Sequence, residues 1–292
     1  MDKENLLQTA NNEHWDLVIK PKNKWYDIDL MAVWRYRDLL MLLVRRDFVS
    51  VYKQTILGPL WFFIQPIITS LTFTLIFGGI AKISTDGMPG ILFYMAGITL
   101  WTYFADCLNK TSSTFIANAG VFGKVYFPRL IMPLSVLVSN LIKLGIQVAI
   151  FISIWIYFLA TSNVIHPQWQ YMWLLPVLVF MMAGLGLGFG ILISSLTTKY
   201  RDLTFLVGFG VQLLMYGSSV IIPVSSITNE KLKMMMLLNP LTSIIEAFKF
   251  IFLGSGYYSV AWLLYGLVFM LFIVALSVLI FNKVEKSFMD TV

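Results

Sequence analysis

Residues 171–196 read YMWLLPVLVFMMAGLGLGFGILISSL, 26 positions without one Asp, Glu, Lys, Arg or His. About 20 mostly apolar residues are enough for a helix to cross the hydrocarbon core of a bilayer. Backbone amides in lipid must be satisfied within the segment, so the stretch predicts a transmembrane helix. No ten-residue blocks of alternating polarity accompany it, which speaks against a β-barrel. Glycines at 184, 186, 188 and 190 form a G-x-G-x-G-x-G run. No strand precedes the run, so it is a weak nucleotide signal. Small residues inside a span more simply let a second helix come close.

Working outward, five further runs have the same character. The six expected spans are 60–80, 91–115, 131–160, 171–196, 204–222 and 258–282. Composition agrees: 58% of the 292 residues are hydrophobic and 12% charged, and mean hydropathy is +0.79. A soluble domain carries about 25% charged residues, so a soluble enzyme, a disordered chain and a collagen-like chain are all excluded. Cys107 is the single cysteine, and His14 and His166 lie far apart. Neither an intrachain disulfide nor a thiolate metal cage is possible. The net charge of +6 reports topology before it reports a nucleic-acid partner, and none is expected. Of 21 Lys and Arg, 15 fall in the segments on one side of the six spans and four on the other. Lys110 and Lys143 lie within spans. By the positive-inside rule both termini are cytoplasmic. The first 57 residues are charged and mixed, unlike a cleavable signal peptide. The chain divides into a cytoplasmic segment 1–57, a membrane domain 58–282 and a tail 283–292.

Two segments do not span. Residues 34–54 mix Arg35, Arg37, Asp38, Arg45, Arg46, Asp47 and Lys53 with apolar 39–44, Phe48 and Val51. That pattern suits an amphipathic helix in the cytoplasmic interface, touching membrane lipid, with Trp34, Tyr36 and Tyr52 at headgroup level. A short soluble helix packed on the membrane domain is the alternative. Residues 223–257 join spans five and six on the external side. Pro223 stops one helix, and Asn239-Pro240 starts another, Asn as cap and Pro at the first position. Ile244, Ile245, Phe248, Ile251 and Phe252 recur on one face of it, whereas Ser243, Glu246 and Lys249 are polar. Gly254 and Gly256 end it. This reads as a re-entrant pair of short helices flanking an opening, with Asn239, Pro240, Glu246 and Phe248 as its gate. The expected fold is thus all-α: six transmembrane helices, an N-terminal interface helix and an external re-entrant pair.

Catalytic chemistry is missing from the pattern. There is no G-x-x-x-x-G-K-[ST] loop, no H-E-x-x-H and no clustered carboxylates. A G-x-S-x-G elbow in a strand–turn–helix setting is also missing. No cofactor or metal is expected on this chain. Polar residues do recur inside spans. Gln65, Thr69 and Thr72 share one face of span one, with Trp61 and Phe62 a turn earlier. Thr204, Gly208, Gln212, Met215 and Ser219 line span five, beside Phe205, Phe209 and Tyr216. Polar groups in a span are costly and face protein or water. Interhelical hydrogen bonding uses the same residues as a substrate conduit would. Aromatic faces with polar edges suit sugar rings, and they suit lipid packing too. Asp106 and Lys110 are four apart in span two and can pair as a lock or gate, or serve a proton relay. Lys143 either reaches the headgroups or pairs with another helix.

The stretch YKQTILGPLW at 52–61 with Gln65-Pro66 resembles the entrance to the first span of ABC-2 type permeases that export polysaccharides. Val125 to Arg129 with Pro133, Tyr200 to Leu203, Asn239-Pro240 and Val284 to Phe288 resemble later segments of that family, in order and at compatible spacing. Val51 departs from it, since arginine is common there. The resemblance implies a permease without ATPase activity, in the bacterial cytoplasmic membrane. Two copies would form the conduit, two copies of a separate ABC ATPase subunit would bind ATP and magnesium, and a lipid-linked glycan such as O-antigen or teichoic acid would be the substrate. Motion would enter through the interface helix and the two cytoplasmic loops, at Lys53, Lys124, Phe127, Arg129, Tyr200, Arg201 and Asp202. Two other readings stay open: an ABC-2 exporter of a drug or small lipid, and an integral-membrane transferase, for which the spans offer only Asp106.

Overall fold

The computed structural model describes residues 30–53, 58–118, 120, 127–197 and 202–285. Among them there is no strand. Two helices precede the membrane domain, α1 (Leu30–Arg35) and α2 (Arg37–Tyr52). Span one is α3 (Trp61–Phe73), continued by a π-helical stretch Thr74–Ile80. Pro66 removes one backbone donor inside it. Hydroxyls bind back onto carbonyls one turn earlier nearby: Ser70 Oγ to Pro66 O and Thr74 Oγ1 to Ser70 O. Span two is α4 (Gly90–Ala117), span three α5 (Ile131–Thr161) and span four α6 (Leu175–Thr197), the last preceded by a 3-10 turn Trp169–Leu174. Span five is α7 (Leu203–Tyr216). The re-entrant pair is α8 (Glu230–Leu238) and α9 (Pro240–Leu253), bent by 95°. Span six is α10 (Val260–Glu285).

α4 is the central column, and every residue from Leu92 through Trp101 is buried. Helices α3, α5, α6, α7 and α9 all pack on it, and α10 packs on α6. The glycine run of α6 produces this arrangement. A Cβ on Gly186 or Gly190 would strike Cys107 or Thr111 of α4. On Gly184 or Gly188 it would strike Met270 or Ile273 of α10. Each pair is four residues apart and so shares a face, which lets one helix contact two neighbours at backbone distance.

The two ends of the bundle are distinct. At one end α2 sets Leu43 among Phe115, Phe127, Ile131, Met132, Ile191 and Phe281. Trp34, Met41 and Leu42 stay exposed beside Arg45 and Arg46. At the opposite end Ser225 Oγ donates to Asp86 Oδ1, and the N–H groups of His166 and Gln168 donate to Leu253 O and Ile251 O. Both ends of the α8–α9 pair are tied to that end, so the chain dips in and returns.

Span five differs from expectation. The apolar run 204–222 predicts one helix, but α7 stops at Tyr216. Its 14 residues rise about 21 Å, short of the ~30 Å core. Residues 217–222 continue α7 as irregular backbone, with Ser218, Ser219 and Val220 fully buried. Non-helical backbone survives at membrane depth only inside protein, and α4 and α9 supply that cover. A Cβ on Gly97 of α4 would come within 3.1 Å of Val220 Cα, so glycine is what lets the segment lie against α4.

Candidate conduit and coupling site

Most of the polar stripes of spans one and five point away from the chain's own bundle; Ser219, expected on the span-five stripe, is instead fully buried. In α3 and its π-helical continuation only Phe62, Pro66 and Ser70 are buried, and in α7 only Val211. Trp61, Gln65 and Thr72 are exposed, and Thr69 is half-buried with its hydroxyl donating to Gln65 O. Phe205 is 85% exposed, and Phe209, Gln212 and Tyr216 are exposed with it. Phe62 is the exception and corrects the expectation. It is 7% exposed, its ring 6.1 Å from that of Phe48 on α2 and 6.0 Å from Lys143 Nζ. The side chain at 62 points one way and its neighbour at 61 the other, because successive residues on a helix diverge by about 100°. Phe62 therefore fastens span one to the interface helix. None of the stripe residues lines the apolar slot of about 490 Å³ that opens between α5 and α6 over Tyr103, Phe248 and Phe252.

The intramembrane charges pair differently from the spacing argument. Asp106 Oδ2 accepts from Lys143 Nζ of α5 at 2.7 Å. Lys110 Nζ donates instead to Asn140 Oδ1 at 2.9 Å, and Asn140 Nδ2 contacts Cys107 Sγ at 3.7 Å. The proposed Asp106–Lys110 ion pair is absent. Two cations on facing helices each take a separate acceptor, so no charge is left alone in a costly medium. The signal was in the sequence: Asn140, Lys143 and Gln147 recur at i, i+3 and i+7 on one face of span three.

The re-entrant helix α9 is buried along nearly its whole length. Asn239 Oδ1 accepts from Leu241 N–H as the expected cap, and its Nδ2 donates to Gly217 O at 3.0 Å. Pro240 occupies the first turn. Glu246 is fully buried, and its Oε2 accepts from Tyr257 N–H at 2.6 Å. Phe248 packs on Phe151 and Phe252. The expectation of an opening flanked by Glu246 and Phe248 is corrected for Glu246, which is sealed in protein within one chain, while Phe248 lines the apolar slot. Lys249 was read from the sequence only as a polar position of this helix and not as a site residue. It is fully buried, 3.5 Å above the Phe93 ring, and donates to Ser219 O.

The described residues among those expected to couple to an ATPase, Lys53, Phe127, Arg129 and Asp202, lie at the basic end. Lys53 closes α2 and is exposed, and Asp202 is exposed just before α7. Phe127 is 6% exposed within the cluster that joins α2 to the ends of α4 and α10 and the start of α5. Arg129 is half-buried at the start of α5, and Arg46 Nη1 reaches Asn118 Oδ1 at 3.5 Å. Lys124, Tyr200 and Arg201 lie outside the described residues, as do 1–29 and 286–292. Among the described residues no group of His, Cys, Asp and Glu is arranged to hold a metal ion.

A helical bundle with polar faces turned outward, a broken span and a packed junction at its basic end is a multi-pass membrane protein of transporter type. The chain belongs to the ABC-2 type transporter family, whose match covers residues 38–253. It is similar to an O-antigen export system permease protein RfbA of Klebsiella pneumoniae, 29% identical over 254 residues, which is 87% of this chain and 94% of that protein. A second protein of that name and organism is 28% identical over the same length. One from Myxococcus xanthus is 27% identical over 221 residues, 75% of this chain and 82% of that protein.

Proposed function

We propose that this chain is the membrane-spanning subunit of an ATP-driven exporter that moves a lipid-linked polysaccharide, of the O-antigen or teichoic-acid kind, out across the bacterial cytoplasmic membrane. The observation that carries the reading is the pair of uncovered polar–aromatic faces on α3 and α7. Gln65, Thr72 and Gln212 turned to lipid would each leave amide or hydroxyl groups unpaired. A second copy of the chain, related by a two-fold axis, covers those faces and encloses a passage that six spans cannot form alone. Trp61, Phe205, Phe209 and Tyr216 then offer aromatic faces to sugar rings. The relatives named as O-antigen export permeases support the choice of cargo.

The work comes from a separate ABC ATPase, two copies binding ATP and magnesium beneath the basic end, which is cytoplasmic together with both termini. Closure of those subunits pushes on α2, the 118–130 segment and the 198–202 segment. The Phe127 cluster passes the push to α4, α5 and α10 at once, because a packed core moves as a body. The re-entrant pair closes the external side. The test is a strain lacking this gene, scored for surface polysaccharide. Loss of display, restored by the intact gene, supports the reading. Normal display with new drug sensitivity would assign the cargo to a drug or small lipid.

A further inference from the structure

We infer that Lys249 and Asn239 of the re-entrant helix are positioning residues that hold the break in span five open, so that 217–222 is a hinge set by α9. The break leaves backbone carbonyls at membrane depth without the partners a continuous helix would supply. Those of Gly217 and Ser219 are filled from α9: Asn239 Nδ2 donates to Gly217 O at 3.0 Å, and Lys249 Nζ donates to Ser219 O. Ser219 Oγ adds a longer bond to Thr242 O, also on α9. A lysine buried to this depth is costly unless its charge is used. Here it is used on a carbonyl and on the face of Phe93. No other buried lysine is found among the described residues.

The other end of α9 is fastened elsewhere. Its last carbonyls, which no turn of its own can satisfy, accept from Gln168 N–H, Trp155 Nε1 and His166 N–H at Ile251, Phe252 and Leu253. Glu246 holds Tyr257 N–H. One rigid helix therefore joins the connection between spans three and four to the segment that follows α7. Any tilt of α7 about residue 217 must break or carry the Asn239 and Lys249 bonds. The hinge rests on the export reading for its role in transport, but not for its existence.

Asn239 separates the roles cleanly. Asn239→Asp keeps the acceptor that caps Leu241 and loses the donor to Gly217. Lys249→Met removes the donor at similar length, and Lys249→Arg retains one. The full chain with its ATPase partner, in nanodiscs, is followed by hydrogen–deuterium exchange of peptides covering 217–222, with peptides from α4 as reference. Loss of one such bond is expected to speed exchange in 217–222 about tenfold in Asn239→Asp and Lys249→Met, with α4 unchanged and Lys249→Arg near the parent. Export in cells falls alongside. Parent-like exchange in both loss-of-donor variants overturns the inference. So does acceleration spread equally over α4, which marks general loosening. If the hinge loosens while polysaccharide display persists, the hinge stands and its role in export fails; the cargo assignment is tested separately by deletion of the gene.

Discussion

Replacing Asp106 by Asn puts the intramembrane pairing to a quantitative test. Its carboxylate lies 2.7 Å from Lys143 Nζ, and the two side chains are 28% and 15% exposed. At an effective dielectric of about 20, unit charges at such a distance attract by roughly 6 kcal/mol before desolvation is counted. Desolvation offsets much of that, so the net coupling is about 1–3 kcal/mol. Removing one partner is worse than removing both, since a lone buried charge costs about 3 kcal/mol. Asp106→Asn is therefore expected to destabilise by about 3 kcal/mol. The Asp106→Asn/Lys143→Met double variant should recover most of the loss. The assay is reversible unfolding of the purified chain in mixed micelles, arranged as two double-mutant cycles, Asp106 with Lys143 and Asp106 with Lys110. Lys143 should show the coupling, and Lys110 less than about 0.5 kcal/mol. Strong coupling to Lys110 with none to Lys143 would refute the interhelical pairing.

The glycine faces of α6 give a second expectation. Gly190→Val sets a Cβ 2.5 Å from Thr111 Cβ and should destabilise by about 2 kcal/mol or more, whereas Gly208→Val, with nothing within 4 Å, should stay close to the parent; melting curves in detergent decide. At span one the two aromatics should separate: Phe62→Ala lowers stability by about 3 kcal/mol, while Trp61→Ala leaves melting unchanged and slows polysaccharide export, and equal effects on both readouts would contradict the split.

Long apolar runs made most spans legible, because the hydrocarbon core imposes a length that few soluble helices meet. The glycines of 184–190 were legible as close-approach residues, since no strand preceded them. Asn239-Pro240 announced a helix start and capped one. The break after Tyr216 was hidden: Gly217 to Ile222 is as apolar as a span, and its backbone is satisfied by Asn239 and Lys249 from elsewhere in the chain. Local spacing proposed Lys110 for Asp106, but helix packing brought Lys143 nearer, and only the fold reveals which neighbour wins. Phe62 and Glu246 failed in the same way. A face inferred from one helix says where a side chain points along that helix, not which partner fills the space there.

On the proposed function, this chain is half of a passive conduit wall driven by a separate engine. Native mass spectrometry of the assembly released from its own membrane tests it directly. The predicted particle holds two copies of the 33.3 kDa chain and two ATPase subunits, and the isolated chain hydrolyses no ATP. A particle containing a single copy and no ATPase, still able to move its cargo, would contradict the claim.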